Sequence, residues 1–366
     1  MHVVLPSGDE AVLLTRYRDV RRVLTDDRLS RNLDRPGAAR ISRHNSMFQD
    51  PRINPDPPEH TRVRNLVAKA FSAARVQRLE PRIHAVVDEL LDAMERSGGP
   101  VDLNEALAFP LPVRVICSLL GVPDTDVALF RHWTSAFLSV SHVPPEEIRE
   151  AMAEMSRYIA EHISHRRAHP SDDLVSAMIR ARDEEGQLSE YELQWWCRLL
   201  LLVGYETTAT QLGGGIAMLL SHPEQLGLLR ADQALLPNAI EELLRWKIVG
   251  SSLSMLRYAT DDVELDDCVI RKGTSVIPGA DCANQDPSRF PDPQAFDITR
   301  SDNAHLTFSL GAHFCIGAPL ARAELRIATG ALLTRFPNLR LAVPAKKLKR
   351  VEGALLEGFT EIPVRW

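Results

Sequence analysis

One run limits what this chain can fold into more than any other, the stretch from Ser189 to Pro223 built around "WWCRLLLLVGYETTATQLGGGIAMLL". Ser189 followed three residues later by Glu192 predicts a capping box at a helix start, and His222-Pro223 predicts the end. The about 33 residues between them make roughly 50 Å of helix, long enough to cross a whole domain. A bilayer span needs about 20 predominantly apolar residues. Arg198 and Glu206 interrupt this one, so it reads as a buried helix of a soluble protein. Its middle, "VGYETTAT" (203–210), breaks two local rules. Glycine costs on the order of 1 kcal/mol in a helix interior, and a buried carboxylate is costly unless paired or hydrated. Such conflicts gather at functional sites. A plain kink, with threonine hydroxyls bonded to the preceding turn, explains them equally well.

The rest of the chain supplies a setting for that helix. With 366 residues, 45% of them hydrophobic, it can bury a large core and an internal pocket. "VVLPSGDEAVLLT" predicts a hairpin around a Pro-Ser-Gly-Asp turn. Helical periodicity dominates from Tyr17 to about Arg245, as in residues 82–96 and 148–168. Residues 250–278 alternate like strands, 286–298 are too rich in proline for helix or central strand, a helix follows Gly317, and the C-terminus is strand-like. Neither repeat nor linker is visible, so residues 1–366 are expected to form one mainly α domain with small sheets. A net charge of -6 gives no reason to expect nucleic acid or an acidic membrane surface as partner. The start, "MHVVLPSGDEAV", shows no cationic region followed by an apolar one, so no secretion signal is expected. The five cysteines (117, 197, 268, 282 and 315) are scattered without a C-x-x-C pair, which fits a reducing cytoplasm.

Four smaller patterns carry chemistry. In "FSLGAHFCIG" (308–317) Cys315 stands just ahead of a helix, whose positive end favours thiolate, between glycines that allow a tight loop. Such a thiolate serves as nucleophile or metal ligand, or the residue is an ordinary buried cysteine. His313, two residues away on an extended loop, would point to the opposite face, which argues against a Cys–His dyad. A lone thiolate on haem iron needs no second protein ligand. "AIEELLRW" places Glu242 and Arg245 at i, i+3 on one helix face, and "DPPEHTRVR" places His60 and Arg64 at i, i+4 on another. Arg257 sits between Leu256 and Tyr258 in a strand and suggests an anionic partner. Each of the two helix pairs alone is compatible with a solvated face.

Taken in order along nearly the whole chain, these patterns resemble the cytochrome P450 family of the soluble bacterial type. The family's cysteine loop F-x-x-G-x-H-x-C-x-G is matched at Phe308, Gly311, His313, Cys315 and Gly317. The resemblance implies a helical bundle around haem b with small β-sheets. It implies that Cys315 is the proximal thiolate ligand, that Gly311 and Gly317 shape the loop, and that Phe308 packs beneath the ring. His60, Arg64, Arg257 and His313 would hold the propionates. Glu242 and Arg245 would be the buried "ExxR" pair with Arg300 as third partner. Gly204 would open the central helix for O2 and water, Thr207 would hydrogen-bond bound oxygen, and Glu206 would relay protons. The implied activity is a monooxygenase placing one atom of O2 into a lipophilic small molecule, with electrons from a ferredoxin and its reductase. The protein would be a cytoplasmic monomer, bound to neither membrane nor nucleic acid. Oxidative coupling, rearrangement or peroxide-driven oxidation on the same fold is the second expectation, and a cysteine hydrolase or a non-catalytic haem carrier the others.

Three positions depart from the family pattern. Val203 stands where alanine or glycine is usual and would crowd the pocket. Gln285 replaces a common arginine, read as a surface change. The segment ahead of the first hairpin is short relative to the family, which suggests a late start codon or a trimmed chain and a looser cover over the substrate channel. Substrate contacts are expected around Asn45–Phe48, at Leu199, Leu202, Val203 and Thr210, at Ser251, Ser252 and Ser254, and at Phe359. A polyketide or terpenoid is the expected class of substrate.

Overall fold

A computed structural model of the chain describes residues 1–51, 55–246 and 252–366. Its helices run in chain order α1 (Tyr17–Thr25), α2 (Glu59–Ala68), α3 (Ala73–Ser97), α4 (Pro110–Leu120) and α5 (Val127–Phe137). Then come α6 (Pro145–Ala168), α7 (Leu174–Asp183), α8 (Glu190–Val203) and α9 (Glu206–Leu220). The last four are α10 (Pro223–Ala231), α11 (Leu236–Trp246), the single turn α12 (Ala280–Ala283) and α13 (Ala318–Arg335). The strands are short: β1 (His2–Val4), β2 (Glu10–Leu14), β3 (Leu29–Ser30), β4 (Val101–Asp102) and β5 (Arg257–Ala259). After them come β6 (Val263–Glu264), β7 (Val269–Ile270), β8 (Ser275–Pro278), β9 (Arg340–Leu341) and β10 (Pro363–Arg365).

Local chemistry explains the ends of the long helices. The capping box is present at α8: Ser189 accepts from the Glu192 N–H while the Glu192 carboxylate accepts from the Ser189 N–H. α6 opens on Pro145 with Glu146 and Glu147 in its first turn and closes with His165, Arg166 and Arg167, so its charges oppose the helix dipole at both ends. The expected single central helix is in fact two. α8 stops at Val203, Tyr205 sits at φ -122°, and α9 restarts at Glu206. Gly204 makes the break possible, because a Cβ there would lie 2.3 Å from the Leu200 carbonyl oxygen and 2.8 Å from Ile116 Cδ1. Sequence periodicity carries on across the break, which the chain accommodates with a residue that has no Cβ.

α9 is buried along nearly its whole length and packs against α4, α11 and α13, which makes it the axis of the bundle. The main core surrounds it, and a smaller cluster (Val20, Val23, Leu29, Val263 and Val276 among others) lies under α1 and the five-stranded sheet. Each such aliphatic side chain contributes about 1.5–3 kcal/mol when fully buried. The five-stranded sheet has the order β1-β2-β8-β5-β3, with β2 and β8 parallel and the other pairs antiparallel. Its register sets Ser30 opposite Tyr258 and Leu29 opposite Ala259. The expected hairpin is β1–β2, and β5 to β8 fill the expected strand region. The C-terminal segment is mostly loop, joined by the β-bridge Arg350–Phe359 before β10.

The Glu242–Arg245 pair is wholly buried, with Nε 2.7 Å from Oε2 and Nη2 2.8 Å from Oε1. Arg245 also donates to the carbonyls of Asn284, Pro293 and Ala295, and Glu242 accepts from the Asp297 N–H and Asn303 Nδ2. Arg300 Nε lies 3.3 Å from the same carboxylate. These groups knit α11 to the proline-rich loop beneath the cysteine loop. Gln285, expected on the surface, is half-buried with an unpartnered Oε1. Among the described residues no helix is long and apolar enough to cross a membrane.

Candidate active site

The cysteine loop is a tight reversal between the proline-rich segment and α13. The Cys315 N–H donates to the Phe308 carbonyl at 2.8 Å and the Phe314 N–H to the Gly311 carbonyl at 3.0 Å. Gly311 sits at φ +68°, and a Cβ there would meet the Leu24 carbonyl oxygen at 2.9 Å, so glycine is required twice over. Gly317 does not need glycine for its backbone, at φ -81°; a Cβ there would lie 4.0 Å from Cys315 Sγ, so its absence clears one side of the sulfur. Burial pushes the Cys315 thiol up, while the N–H groups of Gly317 and Ala318 and the guanidiniums of Arg64 and Arg322 pull it down. The sulfur nonetheless remains exposed. Phe308 is half-buried, stacked under the Arg322 guanidinium at 4.6 Å and 6.4 Å from the Phe314 ring.

Around this loop the fold collects cations. His313 turns to His60, the two rings 4.1 Å apart, and no hydrogen bond joins it to Cys315. Burial drives both imidazoles toward the neutral form, His60 to about 4 and His313 further. Arg64 donates to the Phe314 carbonyl. Arg257 is 1% exposed, donates from Nη1 to the Met255 carbonyl at 2.8 Å, and leaves Nη2 with no partner. His60 Nδ1 is likewise buried and unpartnered. Arg31, absent from the sequence reading, lies close enough to His60, Arg257 and His313 to press on all three, and burial lowers it to about 10. Buried donors without acceptors are rare in folded proteins. A doubly anionic group with carboxylate ends fits here, beside an exposed thiol; that matches the donor set haem b requires.

On the central helix, burial raises the Glu206 carboxyl to about 7, with Arg131 on α5 opposing the shift. Glu206, Arg131, Asn104, Ser135, His142 and Thr210 share a cavity of about 210 Å³. Arg131, also missed from sequence, is bound to Glu105 at 3.0 Å and lies 4.4 Å over the Phe109 ring. The Thr207 hydroxyl donates to the Val203 carbonyl at 3.1 Å, the backbone-bonded arrangement weighed above, and leaves its lone pairs free to accept. Val203 is 38% exposed although its helix is central.

The expected substrate positions divide. Leu199 is half-buried, Thr210 and Phe359 line the cavity, but Leu202 is 2% exposed in the main core and is not part of that cavity's lining. Asn45 is fully buried and structural: its side-chain amide donates to the carbonyls of Phe137 and Ser139, pinning the end of α5. Phe48 packs on Phe137. Ser252 is tied to Asp281 at 2.5 Å. Ser254 is half-buried, and Ser251 lies outside the described residues.

Residues 3–349 match the family model described as Cytochrome P450. The chain is 44% identical, over 99% of its length and 91% of the relative's, to the mycinamicin IV hydroxylase/epoxidase of Micromonospora griseorubida. It is 41% identical to the nocardicin C N-oxygenase of Nocardia uniformis, covering 100% of this chain and 92% of that one. The crystal structure of the LnmA cytochrome P450 hydroxylase from the leinamycin pathway of Streptomyces atroolivaceus superimposes with a TM-score of 0.91 at 43% identity, covering 100% of this chain and 92% of that one.

Proposed function

The chain belongs to the cytochrome P450 family, a haem b monooxygenase by that membership, and from this premise we propose how its residues divide the work. Cys315 is the iron ligand, and His60, Arg64, Arg257 and His313 hold the propionates. The observation that carries this reading is the pair of buried, unpartnered donors, His60 Nδ1 and Arg257 Nη2, beside an exposed thiol. Bound haem supplies an iron centre at which O2 is reduced and one of its atoms is delivered to the substrate. The chain's own contribution is positioning and proton handling. The Gly317 and Ala318 N–H groups at the mouth of α13 favour the thiolate and oppose the burial that pushes the thiol up. Phe308 and the closed loop keep water from its far side. Gly204 breaks the helix, which leaves Thr207 exposed to accept a hydrogen bond at its hydroxyl. Glu206, near neutrality in its pKa, holds and releases a proton at its carboxyl from the 210 Å³ cavity. Glu242, Arg245 and Arg300 take no part in chemistry and hold the proximal side rigid.

The substrate we propose is a lipophilic secondary metabolite of the macrolide kind, since relatives are named for mycinamicin IV and 6-deoxyerythronolide B. Leu199, Val203, Thr210 and Phe359 are its contacts. A ferredoxin with its reductase supplies electrons to a cytoplasmic monomer, and residues 1–366 work as one unit. The test is the spectrum of the reduced, carbon monoxide-bound protein. A strongly red-shifted Soret band is expected, and Cys315→Ala should remove it; a parent protein without that band refutes the reading.

A further inference from the structure

We propose that Arg31 is a further direct cation for the cofactor's propionates, set by sheet register opposite Arg257 so that two guanidiniums clasp one carboxylate end. The inference rests on the haem reading above and adds a residue that no part of the cysteine-loop pattern contains.

The register supplies the geometry. β3 and β5 run antiparallel with Ser30 opposite Tyr258, so the next residue along β3, Arg31, comes level with Arg257. Like charges directly opposite one another on paired strands destabilise a sheet. Among the described residues no carboxylate is bound to this pair, though Asp56 is close enough to favour the charge on Arg257. The nearby carboxylate, Asp56, already accepts from Ser30 Oγ at 2.6 Å and from Arg35 at 2.9 Å. Arg31 spends one nitrogen on the Ser254 carbonyl at 2.8 Å, just ahead of β5, while its buried Nε has no partner. Arg257 Nη2 is in the same condition. A buried and a half-buried guanidinium, each with an unmet buried donor and set level with one another at a sheet edge beside two imidazoles, define a seat for a carboxylate. A planar guanidinium suits that end better than an ammonium, because it can engage both oxygens at once.

The loop after β3 is built to keep Arg31 there. Ser30 Oγ accepts from the Asn32 N–H at 3.0 Å while donating to Asp56, and the Arg35–Asp56 pair closes the same loop onto the segment leading into α2. The loop therefore couples Arg31 to the helix that carries His60 and Arg64.

The experiment compares transfer of haem to excess apomyoglobin, with reduction potential as a second reading. Arg31→Gln should keep the red-shifted carbon monoxide band, lose haem about tenfold faster, as expected for loss of a charge-assisted hydrogen bond, and shift to a more negative potential. Arg31→Lys should restore the potential more fully than the release rate, since the charge returns without the fork. Reconstitution with haem dimethyl ester should shrink the difference between parent and Arg31→Gln to within about twofold. Release and potential equal to the parent's would overturn the proposal, and so would a faster release that persists with the ester, which would make Arg31 a mere support for Ser254. If Arg31→Gln does not fold, Arg31→Lys with the two forms of haem decides by the same criterion. A parent lacking the thiolate band sinks the haem reading itself, whereas a normal parent with an indifferent Arg31→Gln sinks only the clasp.

Discussion

At the residue scale the most telling group is Glu206, an acid whose burial raises its carboxyl from 4.5 to about 7. A carboxyl raised on folding adds stability that is complete below about pH 4.5 and disappears as pH climbs through 7. Glu206→Gln should therefore flatten the fall in thermal midpoint between about pH 4.5 and 7. The same substitution should slow substrate oxidation by about 10- to 100-fold, the usual worth of a positioned proton donor. Arg131→Met removes the opposing positive charge, so the inflection of the pH–rate profile should move to higher pH; an unmoved inflection would show that Arg131 does not act on Glu206. Thr207→Ala should leave the carbon monoxide spectrum intact while diverting reducing equivalents to hydrogen peroxide, measured as peroxide formed per NAD(P)H consumed. Cys315, His60, Arg64, Arg257 and His313 were reached from the sequence through its resemblance to the family's motifs, and the fold brings them together around the cysteine loop. Arg31 and Arg131 were not, because each meets its site across a long chain separation that only register and helix packing close.

The elements show where local rules succeed and where tertiary contact overrules them. The capping box at Ser189–Glu192 was readable because both partners lie within one turn. The break between α8 and α9 was visible only as a bad composition, since the need for glycine there comes from the Leu200 carbonyl oxygen and from Ile116 on another helix, α4. Gly204→Ala should cost about 1–3 kcal/mol of stability through that overlap, read from a urea midpoint. It should also draw α8 and α9 toward one continuous helix and blunt the response of the spectrum to added substrate. The Glu242–Arg245 pair makes a sharper case. Removing one member of a fully buried, multiply hydrogen-bonded ion pair costs about 3–5 kcal/mol, so Glu242→Ala should yield little soluble protein. A soluble, haem-loaded Glu242→Ala with a parental urea midpoint would contradict that accounting.

Over the whole molecule, the charge total of -6 conceals a strongly basic interior around the cysteine loop, and composition cannot report such a separation. Glu324 on α13 is its acidic counterpart, 1% exposed, with one oxygen unpartnered and a carboxyl that burial raises to about 8. Its contribution to stability is present below about pH 4.5 and is lost as pH rises to 8, so thermal unfolding should show a decline across that range that Glu324→Gln reduces. The size of that decline is on the order of a few kcal/mol between about pH 4.5 and 8.

The sheet edge has a consequence for the life of the protein before it works. β3 is two residues long, at the end of its sheet, and carries the start of a loop whose arginine faces another arginine. An anion between those arginines would steady such an edge, so in a newly made chain without cofactor the exposed loop at residues 34–38 should be cut by protease faster than in the haem-loaded protein. Haem supply would then govern how long each copy survives as well as how many are active, with the unloaded chains marked for clearance at their own frayed border.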